Sequence, residues 1–204
     1  MTDGSSDRVL THILEWTLWE CGVRAELISQ WADLRGLRTA PKGLAARIRK
    51  SIELYPCDLL FIHRDAEAAS RQTRLEEIRE AVQELGPRPS VAVIPVRMQE
   101  SWLLCDESAI RNAAANPNGT VPLSMPRIRE IEEIADPKEK VFSLLRTASE
   151  RTGRKLQQFN VEFARSLICE QIADYSQLRA LPSFAAFEAD LLAVVQAHHL
   201  DTWL

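Results

Sequence analysis

The sequence predicts an α/β fold, a mostly parallel sheet flanked by helices with a helical C-terminal half, and three observations carry that expectation. Two dense apolar runs, 57–63 and 90–96, have the length of strands buried on both faces. A segment of helical period between them, about Arg71 to Leu85, suits a crossover joining parallel strands. Beyond Glu100 the strand-like runs stop, and helical spacing dominates to the C-terminus.

Taken in order, Val9, Leu10, Ile13, Leu14, Thr17 and Leu18 recur at helical spacing, with Gly22 ending the run and Ser6 or Asp7 placed to cap it. Val23 to Trp31 reads as a short strand, and 44–54 returns to helical spacing after Pro41-Lys42-Gly43. The strand at 57–63 gives way abruptly to Arg64-Asp65-Ala66-Glu67. The second helix-and-strand unit passes Gly86-Pro87 and emerges at Arg97-Met98-Gln99-Glu100. Further on, 101–115 is expected to be helical, Asn116-Pro117-Asn118-Gly119 to turn, and helices to occupy 127–134, 137–150, 160–173 and 183–198. Pro137 behind Asp136 fits a first helical position after a good cap. The organisation expected is an α/β core over 1–115 with a helical extension over 116–204 packed on it.

Composition bounds the function. The 204 residues are 46% hydrophobic and 26% charged, an ordinary globular balance. No apolar run approaches the ~20 residues that span a bilayer, and Met1 to Asp7 lacks the basic and apolar regions of a secretory signal, so the cytoplasm is expected. Cys21, Cys57, Cys105 and Cys169 show no metal-site spacing and are read as buried reduced thiols. A net charge of -4 supplies no global attraction to nucleic acid; a nucleic-acid enzyme with this balance needs a local basic patch, a basic partner or screening metal ions.

Ligands of open α/β sheets bind outside the carboxyl ends of the strands, and acids gather there. Asp3 and Asp7 precede the first helix, Asp65 and Glu67 follow the first apolar run, and Glu100 follows the second. Converging carboxylates repel one another unless a cation lies between them, and oxygen ligands suit Mg²⁺ or Mn²⁺. Each residue also has a plainer reading. Asp7 serves as a helix cap, Glu67 as a first-turn partner of a helix dipole, His63 as a core residue ending a strand, and Glu100 as the start of a helix that turns Trp102 inward. Among basic residues that could meet phosphate, Arg64 and Arg97 flank the buried runs and are preferred to Arg35, Lys42 and Lys138. His198 and His199 are read as surface.

The segments Asp3-Gly4-Ser5-Ser6-Asp7, His63-Arg64-Asp65-Ala66-Glu67 and 96–104 (Val-Arg-Met-Gln-Glu-Ser-Trp-Leu-Leu) resemble a bacterial family of unknown function, the one numbered 4276, whose members are similar to Toprim domains. Further similarity lies at Ala109-Ile110-Arg111, Asn116-Pro117-Asn118-Gly119, Asp136-Pro137-Lys138 and Leu178-Arg179-Ala180-Leu181-Pro182, so it covers nearly the whole chain. The resemblance implies a Toprim-like sheet and a metal-dependent nuclease or phosphodiesterase related to the overcoming-lysogenization-defect enzymes. Asp3, Asp7, Asp65, Glu67 and Glu100 would be metal ligands or acid/base groups holding Mg²⁺ or Mn²⁺, with Arg64 or Arg97 on phosphate. It also implies the effector half of a two-gene anti-phage system with an ATPase partner. Two departures stand out. Asp3 is shorter than the usual glutamate, and only Met1 and Thr2 precede it where a strand is expected, which suggests either a true start upstream, the reading preferred, or a lost first strand and a loosely built site. The alternatives are a non-catalytic scaffold or sensor docking on an ATPase, and a small-molecule phosphohydrolase using the same acids.

Overall fold

The computed structural model describes residues 9–67 and 69–202. Asp3 and Asp7 lie outside the described residues, as does the proposed Ser6 or Asp7 cap; Val9 occupies the N-cap position of α1 (Leu10–Glu20). This helix turns Leu10, Ile13, Thr17 and Leu18 inward, and the Thr17 hydroxyl donates to the Ile13 carbonyl at 2.7 Å. Next comes α2 (Leu44–Leu54), entered through Gly43 at φ 80°, a left-handed backbone that glycine adopts without steric cost.

The sheet among the described residues has two strands, β1 (Leu60–His63) and β2 (Ser90–Val93), paired in parallel with Leu60 opposite Ser90 and His63 opposite Val93. Both are shorter than the apolar runs that contain them. Between them α3 (Arg71–Gln83) forms the crossover, its first turn closed by Ser70, whose hydroxyl accepts from the Thr73 N–H at 3.1 Å. The expected strand over Val23 to Trp31 is not formed: this stretch is irregular and joins no ladder, and much of its second half is exposed. Val23 is buried in the core, but Leu27 and Ile28 are exposed without a neighbouring strand to cover them, and strand preference is mainly such packing.

The back half is helical. The stretch after Glu100 departs from a single helix: a 3₁₀ turn over Gln99–Leu103 is followed by the short α4 (Glu107–Ala113), capped by the Asp106 carboxylate on the Ala109 N–H at 3.0 Å. The stretch near 127–134 is likewise 3₁₀, Ile128–Glu133. Then come α5 (Pro137–Ala148), α6 (Gly153–Gln157), α7 (Val161–Gln171) and α8 (Pro182–Ala197). Asp136 caps α5 through the Glu139 N–H at 2.9 Å, with Pro137 at its start, and Asn160 caps α7. In the turn at 116–119 a Cβ on Gly119 would come within 2.6 Å of Asn116 Nδ2 and 2.8 Å of Glu150 Oε1, so those side-chain ends would have to shift.

Alternation along the strands splits the core. Leu60, Ile62, Ala92 and Ile94 pack with Ile48 of α2 and Leu75, Ile78 and Ala81 of α3. Val91 and Val93 belong to the larger cluster, which continues through Trp102 into the helical half. There Trp102, Phe184 and Phe187 pack as a triad with ring centroids 5.2 to 5.8 Å apart, and the Trp102 indole donates to Ser183 Oγ at 3.3 Å. Cys105 and Cys169 are buried free thiols, as expected, and Cys21 is half-buried; Cys57 is exposed, because β1 starts only at Leu60 and leaves it on the preceding loop.

Candidate functional site

Past the ends of β1 and β2 the two chains stay side by side. The Arg64 N–H donates to the Val93 carbonyl, Ala66 to Pro95 and Glu67 to Arg97, all at 3.0 to 3.1 Å. The pairing ends where Glu67 and Arg97 both turn into the left-handed region, at φ 52° and 60°. For a non-glycine residue this costs on the order of 1 kcal/mol, and two such residues on adjacent loops mark an over-determined backbone. The loop that carries Asp65 therefore extends the pairing of the sheet, and Glu100 follows in the turn just past it.

Within this frame Asp65 is half-buried, and its Oδ1 lies 3.1 Å from Nε2 of His63, from which the carboxylate accepts when that ring nitrogen carries the proton. His63 itself is buried at the end of β1. Glu100 arrives from β2 through the 3₁₀ turn and is also buried. Burial pushes the Glu100 carboxyl up from its ordinary value; the Arg165 guanidinium opposes this and the charge of Asp65 adds to it. The charge of Asp65 thus reaches Glu100 across the two strand ends.

The remaining sequence candidates sit differently. Glu67 is exposed and reaches Arg74 of α3 at 3.4 Å. Arg64 lies 3.5 Å from Glu77, on the α3 side, and Arg97 contributes its carbonyl to the loop pairing. Arg35 is engaged by Asp33 on an exposed loop. His198 and His199 are exposed, as read from the sequence. Among the described residues no three His, Cys, Asp or Glu side chains form a group that could hold a metal ion. Two carboxylates with water completing the shell remain within what Mg²⁺ accepts, so the Asp65–Glu100 pair fits the implied ion in kind.

The helical half brings residues that sequence reasoning did not place here. Arg165 of α7 donates from Nη1 to Glu100 Oε1 at 3.1 Å and from Nε to Glu162 Oε2 at 3.3 Å. Lys138 of α5 meets Glu162 at 3.0 Å, and its charge also favours ionised Glu100. The result is a row in which charge alternates from Glu100 through Arg165 and Glu162 to Lys138, with Asp65 as a second acid on the Glu100 side and the Glu100–Arg165 pair out of water. A signal for Arg165 was present: it stands in the apolar stripe of α7 beside Ala164, Ile168 and Cys169, where a charge needs a buried partner.

On its other side His63 lines a separate cavity of about 460 Å³ between α1, the irregular 23–32 stretch, the end of α2 and β1. It is mostly apolar, with the Ser51 hydroxyl buried in its wall. No helix among the described residues is long and apolar enough to cross a membrane. Compared with protein-family models, curated proteins and solved structures, the chain shows no significant match to any of them.

Proposed function

We propose that the chain is a metal-dependent, Toprim-like phosphodiesterase or nuclease whose ion sits at the strand ends, held by Asp65 and Glu100. The observation that carries this is the placement of two carboxylates beyond adjacent parallel-strand ends, with Glu100 buried and its carboxyl raised by that burial and further by the charge of Asp65. A divalent cation relieves that repulsion and, when bound, supplies charge stabilisation for a phosphate oxygen. The chain's own share is to fix the two carboxylates on paired loops and to orient Asp65 through His63. Asp3 and Asp7, outside the described residues, and the exposed Glu67 remain proposed as further ligands, and Arg64 and Arg97 as phosphate contacts. The resemblance extends the proposal to an ATPase partner and a role in anti-phage defence.

A second reading, a non-catalytic scaffold or sensor, is favoured by one observation: Glu100 already has an internal cation in Arg165. Thermal unfolding with added Mn²⁺ separates the two. At a hundredfold excess over Kd, binding stabilises the fold by about 2.7 kcal/mol, and Asp65→Ala is expected to abolish the rise in melting temperature. An undiminished metal response in Asp65→Ala removes the site from Asp65. Metal response without cleavage of plasmid DNA, alone or with an ATPase, leaves the scaffold reading.

A further inference from the structure

Resting on the cation-binding reading of Asp65 and Glu100, we infer that Arg165 is the positioning residue of that site, so that α7 in the helical half supplies part of it. The geometry is specific. The Arg165 and Glu100 side chains are 4% and 5% exposed and meet at 3.1 Å, while Nε of the same guanidinium holds Glu162. A planar guanidinium serves two acids in fixed directions, which a single ammonium does not. Glu162 is in turn tied to Lys138 at 3.0 Å, so the fork is braced from both α7 and α5. From its own turn, a 3₁₀ segment of five residues, the Glu100 carboxylate receives its own backbone N–H, and the guanidinium comes from α7. Remove Arg165 and a buried carboxylate loses the partner that fixes its direction, so it is free to move away from Asp65.

Charge alone predicts the opposite effect on a bound cation. A guanidinium next to the acids repels a divalent ion, so deleting it should tighten binding. Positioning predicts weaker binding, because the ligand oxygen is no longer held beside Asp65. Mn²⁺ titration calorimetry on the full chain distinguishes them. Arg165→Met is expected to weaken Mn²⁺ uptake about tenfold or more, and Arg165→Lys to recover part of the loss. Glu162→Gln removes one brace at an exposed position without unpairing Glu100 and is expected to weaken uptake about threefold, which keeps the test usable should Arg165→Met fold poorly. Unchanged or tighter uptake in the Arg165 and Glu162 variants, with uptake intact in the wild type, overturns the positioning role. Absence of uptake in the wild type overturns the cation reading itself. Denaturant unfolding closes a cycle: Arg165→Met with Glu100→Gln should be coupled by about tenfold in the unfolding equilibrium constant, and independent effects overturn the pairing.

Discussion

On one face of the β1–β2 pair, Leu60, Ile62, Ala92 and Ile94 meet aliphatic side chains from α2 and α3. On the other, Phe61 stacks toward Phe187 at 6.4 Å, Val91 and Val93 join the large core, and α8 packs over β2. The first face is built by residues between Leu44 and Ile94, neighbours in sequence as well as in space. The second depends on an aromatic group drawn from the distant α8. The acidic loops leave the sheet between these layers. Asp65 follows the strand, while Glu100 is fixed from the helical side by Arg165. A site assembled this way tolerates change in the local layer better than change in the layer that holds α7 and α8.

The sharpest way to break this contrast is Phe187→Ala. Phe187 touches Phe61, Trp102 and Phe184, so its loss opens a cavity at the junction of sheet and helices. A cost of about 3–5 kcal/mol is expected in denaturant unfolding. A cost no larger than that of an aliphatic truncation on the other face would remove the distinction between the layers.

Ile78→Ala probes that other face. Ile78 is 4% exposed in the aliphatic cluster and should cost about 2–3 kcal/mol. Combined with Phe187→Ala the effects should add to within about 0.5 kcal/mol, since distant sites without shared partners are independent. A larger departure would mean that the two strands transmit strain from one layer to the other.

The smallest effect calibrates both and touches neither face. The Glu150 carboxylate accepts from the Val121 N–H at 2.8 Å and the Thr120 N–H at 2.5 Å, and these bonds hold its carboxyl below the usual glutamate value. A depressed folded-state value contributes stability above the unfolded value of about 4.3, and that stability fades as pH falls through the folded value. Glu150→Gln is therefore expected to lower the melting temperature slightly at pH 7 and to match the wild type in acid. A difference that persists or grows below pH 3 would show that the glutamine disturbs the Gly119 turn by its shape.

Local features were well marked in the sequence. The period of 44–54 gave α2 at its full length, Asp136-Pro137 marked the start of α5, and Asn116 to Gly119 marked a turn that a Cβ would obstruct. The Val23 to Trp31 stretch misled because strand composition was present without a partner strand among the described residues. The helix expected over 101–115 is divided into the end of a 3₁₀ turn, Gln99–Leu103, whose five residues are all buried, and the short α4. Asp65 was legible as a site candidate from its place after an apolar run. Glu67, two residues on, carried the same signal yet points to Arg74, because a left-handed residue redirects the chain.

By itself the sequence determined the two buried strands, the crossover helix between them, α2, the capped start of α5 and which loops carry acid, because period, caps and turn residues act within a few positions. Tertiary structure alone decided what surrounds those acids. Glu100 and Arg165 are 65 positions apart, and Trp102 and Ser183 are 81 apart. No local pattern specifies such partners. They are chosen when the aromatic layer closes over the sheet and a buried charge has to find its counter-charge there.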